Sequence, residues 1–279
     1  MATMTLRTYL LEKVRVVSPA PNERTYHVFY ALLAGVDDEQ RKELMLGGGA
    51  DAYRYTTPVE LGRPPNEAEL TLYREEVKRD KVAMGEVSEA LAHVGMPKYD
   101  QWQAWRTLAA ALHLGNLDFA GEDEADIKPG CEEALLAASE LLGLEIAQVR
   151  QVLVTRCIKA AGEFIMKPNS REEAEVLRDS IVKAVYARLF DWIVGRVNDK
   201  NGSGALAANP TFIGLLDVFG FEIFEVNSFE QLCINFTNEM LQAHFTTVLF
   251  RQELELYRSE GVPFKQIRFT CNAVLIELI

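Results

Sequence analysis

The chain has 279 residues, of which 48% are hydrophobic and 25% are charged, and its formal net charge is −12. This is the composition of a globular protein with a substantial core, and the negative charge argues against broad electrostatic binding to nucleic acid or anionic membranes. The four cysteines lie far apart in the sequence, no apolar run could span a bilayer, and the amino terminus lacks a secretory leader. We therefore predict a cytoplasmic protein with reduced thiols and without membrane insertion.

Capping residues and glycines divide the first hundred residues into helices and one irregular stretch. A helix is predicted to end at Gly35, and an irregular stretch is predicted for 36–66. The glycine triplet at 47–49 lacks the Lys-Ser/Thr that a phosphate loop requires. Asn66 begins a capping box, which predicts a charged helix that breaks and resumes near Gly85 and ends near Gly95.

The next elements are predicted to pack on one another through apolar faces. Asp100 is a candidate cap for a helix with two tryptophans, and Gly115 is its predicted end. A short strand is predicted at 117–119. The acidic loop 121–129 lacks the ligand spacing of a calcium-binding EF-hand, so we predict no metal site there.

Three further helices and one exposed excursion are predicted before the chain reaches a linker. The helices are expected at 132–142, where Gly143 would end the first, and at 146–156. Residues 157–168 form the excursion. A capping box at Ser170 then predicts a long helix that ends near Asn198.

A carboxylate, a glycine and a second carboxylate follow the linker at 199–210. The apolar run 211–216 predicts a strand buried in a mostly parallel sheet, and in such sheets ligands bind at the carboxyl ends of strands. Asp217, Gly220 and Glu222 lie directly after this run. A glycine there can bring its backbone N–H close to a ligand such as a phosphate.

A helix of about thirty residues is predicted next, because apolar residues recur at helical spacing as far as Gly261. Phe229 and Phe236 lie on its apolar stripe. Two capping boxes could begin the helix: Asn227 with Glu230, and Ser228 with Gln231.

The stretch Gly214–Glu239 resembles, nearly residue for residue, the switch II segment and relay helix of the myosin motor domain. Weaker matches follow the family's order at Thr8–Lys13, Glu23–Tyr30, Leu112–Leu117 and Tyr186–Trp192. The resemblance implies a predominantly helical α/β fold, part of the P-loop-type myosin motor fold with few strands. It implies this division: upper actin-cleft region 1–198, linker 199–210, switch II strand and turn 211–226, relay helix 227–261, and the start of the lower actin-cleft subdomain 262–279.

The same resemblance implies roles for individual residues. Glu222 would pair with a switch I arginine and Gly220 would donate its N–H to the γ-phosphate, so these two are the candidate catalytic residues. Asp217 and Gly220 are the candidate Mg-ATP-binding residues, with Asp217 acting on the metal only through its water ligands. Phe229 and Phe236 are the relay residues. Glu163 would lie in an actin-contacting loop, sixteen residues before Asp179.

The sequence also departs from the family, since it contains no Gly-x-x-x-x-Gly-Lys-Ser/Thr and no switch I motif. Mg-ATP is therefore expected to bind the intact motor and not to bind this chain tightly. Whether the chain is an enzyme stays open at this point. The expected partners are the actin filament and the remaining motor segments, in the cytoplasmic cytoskeleton. A non-catalytic actin-binding or interaction protein, and a truncated gene model, are the alternative interpretations.

Overall fold

The computed structural model describes residues 4–19, 23–57, 67–160, 163–202, 213–225, 227–265 and 272–278. The chain forms two compact units, residues 1–208 and 209–279. The boundary between them falls within the range 199–210 that the sequence indicates as a linker. Assigning the two units to particular motor subdomains remains a prediction.

Helices dominate the first unit. They are α1 (His27–Gly35), α2 (Asp38–Glu43), α3 (Glu67–His93), α4 (Lys98–Gly115), α5 (Glu132–Leu142), α6 (Ile146–Val154) and α7 (Arg171–Lys200). Short 3₁₀ turns lie at Lys13–Val16, Ala50–Ala52 and Pro129–Cys131. Two antiparallel pairs of strands accompany them: β1 (Phe119–Ala120) with β2 (Asp126–Ile127), and β3 (Thr155–Ala160) with β4 (Glu163–Pro168).

The core of this unit forms where α1 packs on α3, and where α4 packs on α5 and α7. Phe29, Leu112 and Val182 are fully buried there. The helices approach closely at Gly35, where an added Cβ would lie 2.2 Å from the Met84 Cβ. Any larger residue at this position would therefore force α1 and α3 apart.

Local signals located several element ends correctly. Gly143 ends α5 in the left-handed conformation, with φ 68°. At Ser170 both halves of the capping box form, so the predicted start of α7 is confirmed. The break predicted near Gly85 is wrong, because α3 continues through this residue and ends at His93; its predicted cap, Asn66, lies outside the described residues.

Two predictions in this unit need correction. Asp100 does not cap α4, because the helix begins at Lys98 and its N-cap, Pro97, has no side chain that can accept a hydrogen bond. Asp100 instead accepts a hydrogen bond from Arg196 at 2.7 Å. The short strand expected at 117–119 forms two residues later, at Phe119–Ala120. Cross-strand pairing with Ile127 and Asp126 fixes its position, and the sequence pattern of a two-residue strand cannot show that pairing.

The second unit contains a long helical rod. It comprises α8 (Phe229–Thr246, 18 residues), a π-helical turn (Thr247–Gln252, 6 residues) and α9 (Glu253–Ser259, 7 residues), which follow one another directly. The residues that join these parts all have right-handed helical backbone angles, so the predicted single helix is confirmed in outline. Of the two candidate capping boxes, Ser228 with Gln231 forms. A short helix, α10 (Ala273–Leu278), packs on α8.

The strand predicted at 211–216 is not present in the described residues. Residues 213–216 have no regular secondary structure, while 211 and 212 lie outside the described part of the chain. A strand requires a neighbour with which to exchange backbone hydrogen bonds, and both described sheets are closed two-stranded pairs in the other unit. Within the described residues, no helix is long and apolar enough to cross a membrane.

Candidate functional site

Asp217, Gly220 and Glu222 lie on one irregular segment, residues 213–224, directly before α8. The apolar side chains of this segment are mostly exposed, and Ile213 and Leu215 are 95% and 97% exposed. Asp217 and Gly220 are exposed as well. These apolar side chains lie in water and therefore lack the stabilisation that burial would give them. A segment with such an exposed apolar surface normally packs against other parts of a protein.

Glu222 is the one member of this group that is firmly held. Its backbone N–H donates to Asn235 Oδ1 at 2.7 Å, and its carbonyl accepts from Asn235 Nδ2 at 2.8 Å. Its carboxylate oxygen Oε2 is buried and has no hydrogen-bond partner. An unpaired buried carboxylate oxygen costs free energy, so this atom is a place where a cationic or hydrogen-donating group would bind favourably.

Gly220 occupies open space. An added Cβ would contact nothing within 4 Å, and the residue is not among those with positive φ. Nothing in this structure therefore requires glycine at this position. The proposed reason for glycine, close approach of a phosphate to its N–H, remains a prediction.

The two phenylalanines predicted to be relay residues differ in their surroundings. Phe229, the first residue of α8, is 76% exposed, whereas Phe236 is half-buried two turns later. The buried residues of α8 are Gln231, Ile234 and Thr246. The apolar stripe that the sequence predicts is thus mostly available for contacts with other parts of a protein.

The predicted excursion is a hairpin made of β3 and β4, and Glu163 lies at its end. Glu163 is exposed and pairs across the hairpin with Ala160, while residues 161 and 162 are outside the described residues. Phe164 beside it is 77% exposed, and Lys159 lies over its ring at 5.9 Å. The end of the hairpin thus presents an acid, a cation and an aromatic ring to solvent.

The base of the hairpin is fixed by Asn169, which is only 2% exposed. Its N–H donates to the carbonyl of Val154 at 2.8 Å, and its side-chain amide donates to the carbonyl of Leu153 at 3.0 Å. Its own carbonyl accepts from the N–H of Ala125 at 2.8 Å. Because this one buried residue, which directly follows β4, is bonded through its side chain and main chain to the end of α6 and to the acidic loop, it holds the base of the hairpin to the rest of the first unit.

A buried polar cluster beside Asp179 is a feature that sequence reasoning missed. Tyr55 donates its hydroxyl to Asp179 Oδ1 at 2.7 Å, and Arg178 donates to the same oxygen at 2.8 Å. Arg178 also donates to the carbonyl of Leu117 at 2.8 Å. Burial, together with the bond to Asp179, raises the pKa of Tyr55 well above its ordinary value. A tyrosine within an irregular stretch was the only sequence signal, and it does not identify a partner 124 residues away.

His113 is a buried histidine with a structural role. It is buried, its Nε2 lies 3.1 Å from the carbonyl of Leu44, and the Tyr53 ring meets it edge-on at 5.7 Å. Burial lowers the pKa of His113, because the neutral ring is favoured away from water. Across the described ranges, no three His, Cys, Asp or Glu side chains gather closely enough to hold a metal ion.

We predict that His113 makes stability depend on pH. Its folded pKa lies below the unfolded value of about 6.5, so its neutral form stabilises the fold above that pH and the contribution is lost as pH falls. Urea unfolding at pH 7.5 and 5.5 should show a smaller pH dependence for His113→Gln than for the unmodified chain. His93→Gln, at an exposed position, is the control. Equal pH dependence in all three proteins would contradict the prediction.

The comparison with protein families decides the assignment. The family described as myosin head (motor domain) matches residues 1–279. The chain belongs to the myosin head family. Its sequence is 37% identical over 279 residues to unconventional myosin-Id of Bos taurus and 39% identical over 275 residues to unconventional myosin-Va of Rattus norvegicus.

These myosins are much longer than the chain. The matches cover 98% of this sequence in both cases, but only 26% and 14% of the two relatives. Myosin heavy chain 95F of Drosophila melanogaster gives a similar result, with 38% identity, 97% coverage of this chain and 23% of the relative. The predicted fold class is confirmed: the chain is a predominantly helical α/β part of the myosin motor fold.

In a myosin head, a Mg-ATP site would have to combine these residues with others. Asp217 and Glu222 would supply the acids, and the buried unpaired oxygen of Glu222 fits a carboxylate that pairs with a cation. Asp217 is exposed and Gly220 has open space around it, so both are accessible to a phosphate or to hydrated Mg²⁺. This segment fits one side of such a site.

Proposed function

We propose that the chain is a segment of an actin-based motor in which Mg-ATP hydrolysis and phosphate release drive movement along filaments. The observation that carries this proposal is the order of parts in the second unit. Asp217, Gly220 and Glu222 stand immediately before a rod of 18, 6 and 7 residues in uninterrupted succession. A phosphate-sensing segment joined to a stiff helix can turn a small local shift into movement at a distance.

In the intact motor, Mg-ATP supplies the phosphoryl group that is transferred to water. We assign to Asp217 the orientation of the water ligands of Mg²⁺, and to the N–H of Gly220 the contact with the γ-phosphate. Glu222 would close the site by pairing with an arginine of another motor segment, which excludes solvent and positions the attacking water. Phe229 and Phe236 would transmit a displacement of residues 213–224 along the relay helix through their side-chain contacts.

The remaining motor segments are the first proposed partners. Residues 213–224 expose several large apolar side chains and have no strand neighbours among the described residues, which supports burial against other motor segments. The actin filament is the second proposed partner, and the hairpin end with Glu163 is its proposed contact. We place the motor in the cytoplasm, on the actin cytoskeleton.

This function is tested with the motor domain encoded by the complete coding region around this segment. Phosphate release should be measured with and without actin filaments. Actin-stimulated, Mg-dependent phosphate release would support the proposal, whereas ATP turnover that actin leaves unchanged would oppose it.

A non-catalytic actin-binding protein is the second candidate. It is favoured by the absence of a phosphate-loop motif from the sequence and by the hydrogen bonds through which Asn169 holds the base of the hairpin. Co-sedimentation of the 279-residue chain with actin filaments distinguishes the two. Binding that ATP does not weaken would favour this candidate, and a coding region without a phosphate loop on either side would strengthen it.

We predict that Glu163→Ala weakens actin activation in the intact motor and leaves basal ATP turnover unchanged. The side chain is exposed on a hairpin that carries none of the residues proposed for the phosphate site. The actin concentration for half-maximal activation should rise about two- to fivefold at low salt, and the effect should shrink as salt screens the charge. Glu172→Ala removes an exposed acid from α7 and serves as the control. Equal activation of both variants and the unmodified motor would refute the assignment.

A further inference from the structure

The side chain of Asn235 makes an unusual pair of hydrogen bonds with the main chain of Glu222. Its amide oxygen accepts from the Glu222 N–H at 2.7 Å, and its amide nitrogen donates to the Glu222 carbonyl at 2.8 Å. Both distances lie within the range of well-formed hydrogen bonds. Donor and acceptor are therefore both satisfied, in the way that a neighbouring strand would satisfy them.

This pair of bonds ties an irregular segment to a regular helix. Asn235 lies in the second turn of α8, and Glu222 lies thirteen residues earlier, in a segment without secondary structure. A single hydrogen bond would leave the peptide of Glu222 free to swing about it. Two bonds to one planar amide restrain that rotation, so the direction in which the Glu222 side chain leaves the backbone is restrained too.

The restraint on the Glu222 main chain matters because of the carboxylate that this residue carries. Its Oε2 is buried and unpaired, although the backbone of the same residue is fully paired. The structure thus leaves one carboxylate oxygen out of water, where its attraction to a cation is screened least.

We propose that Asn235 is the positioning residue for Glu222, an inference that rests on the proposed motor function. It holds the Glu222 main chain on α8 and restrains the direction in which the Glu222 side chain leaves the backbone toward its cationic partner. Asn235 itself contacts neither nucleotide nor metal in this role.

Hydrogen exchange in the 279-residue chain tests the positioning contact without any activity. In Asn235→Leu, which is similar in size and loses both bonds, the Glu222 amide should exchange about 3- to 10-fold faster. Asn235→Asp keeps the acceptor for that amide and should stay within about twofold of the unmodified chain. The Phe224 amide, which donates to Asn227 at 3.1 Å, is an internal reference that should not change. Unchanged exchange at Glu222 in Asn235→Leu would overturn the proposal.

The intact motor tests whether Asn235 acts through Glu222. Asn235→Leu should lower actin-activated kcat about tenfold and leave nucleotide affinity within about twofold, because the bonds orient a group and do not bind substrate. In a Glu222→Gln background the same substitution should cost less than about twofold, since the positioned carboxylate is already absent. Thr237→Val is the control, because the Thr237 hydroxyl donates only to the carbonyl of Cys233 in its own helix at 2.8 Å.

The outcomes separate the positioning role from the motor function. An equal loss from Asn235→Leu in both backgrounds would show that Asn235 acts elsewhere and would overturn the proposal, as would no loss at all. If the unmodified motor shows no actin-activated turnover, the motor function fails, while the exchange rates still decide whether Asn235 holds Glu222.

Discussion

The 279-residue chain is expected to hydrolyse no Mg-ATP above background, although its most specific motif comes from a family of ATPases. Phosphoryl transfer of this class needs a backbone cradle and a lysine at the β- and γ-phosphates, a hydroxyl on Mg²⁺ and groups that position water. Asp217, Gly220 and Glu222 supply only part of this set. Since losing one preorganised donor costs roughly 10²–10³ in rate, the loss of most of the site should reduce turnover to background.

Phosphate release from the purified chain measures this, with Asp217→Asn and Glu222→Ala as controls for contaminating ATPases. Any residual turnover should be the same in the unmodified chain and in both variants. Saturable turnover that disappears in both variants would contradict the prediction and would show that groups elsewhere complete the site.

Replacing Arg178 with leucine should cost about 3 kcal/mol of unfolding free energy. The Arg178 side chain is 5% exposed and donates to Asp179 and to the carbonyl of Leu117. Breaking a fully buried ion pair costs about 3–5 kcal/mol, and the lower end applies because the Asp179 side chain is 30% exposed and water can reach it. Urea unfolding of the 279-residue chain gives the measurement.

Arg171→Leu provides a matched control on the same helix. Arg171 pairs with Glu175 one turn along α7, but the side chains are 55% and 35% exposed, so its loss should be much smaller than that of Arg178. Tyr55→Phe removes only the hydroxyl that donates to Asp179 and should fall between the two. A loss at Arg178 no greater than at Arg171 would show that the cluster contributes little to stability.

Signals confined to a few residues predicted the fold well. Gly143 and the capping box at Ser170 act through their own backbone conformation or through a partner three residues away, so the sequence contains the whole interaction. The length of the helical rod in the second unit was predictable for the same reason, since it depends on a cap, a repeating apolar pattern and a glycine at its end.

Interactions between distant parts of the chain were not predictable. Asp100 has the chemistry of a cap, yet it pairs with Arg196, ninety-six residues away. The strand expected at 211–216 depends on neighbouring strands, which no local pattern can supply. In the candidate site, the residue types of Asp217, Gly220 and Glu222 could be recognised, but the two bonds from Asn235 depend on how the segment folds back onto α8.

The π-helical turn at Thr247–Gln252 changes the direction in which the end of the rod faces. A π turn contains about one residue more than an α-helical turn, and each residue of an α-helix advances the azimuth by about 100°. Residues of α9 therefore point about a quarter of a circle away from where an unbroken α-helix would aim them. Removing one residue from this turn would let the helix wind regularly while the side chains of α9 kept nearly their present direction, whereas a substitution that made the turn α-helical at the same length would rotate α9 by about 100°.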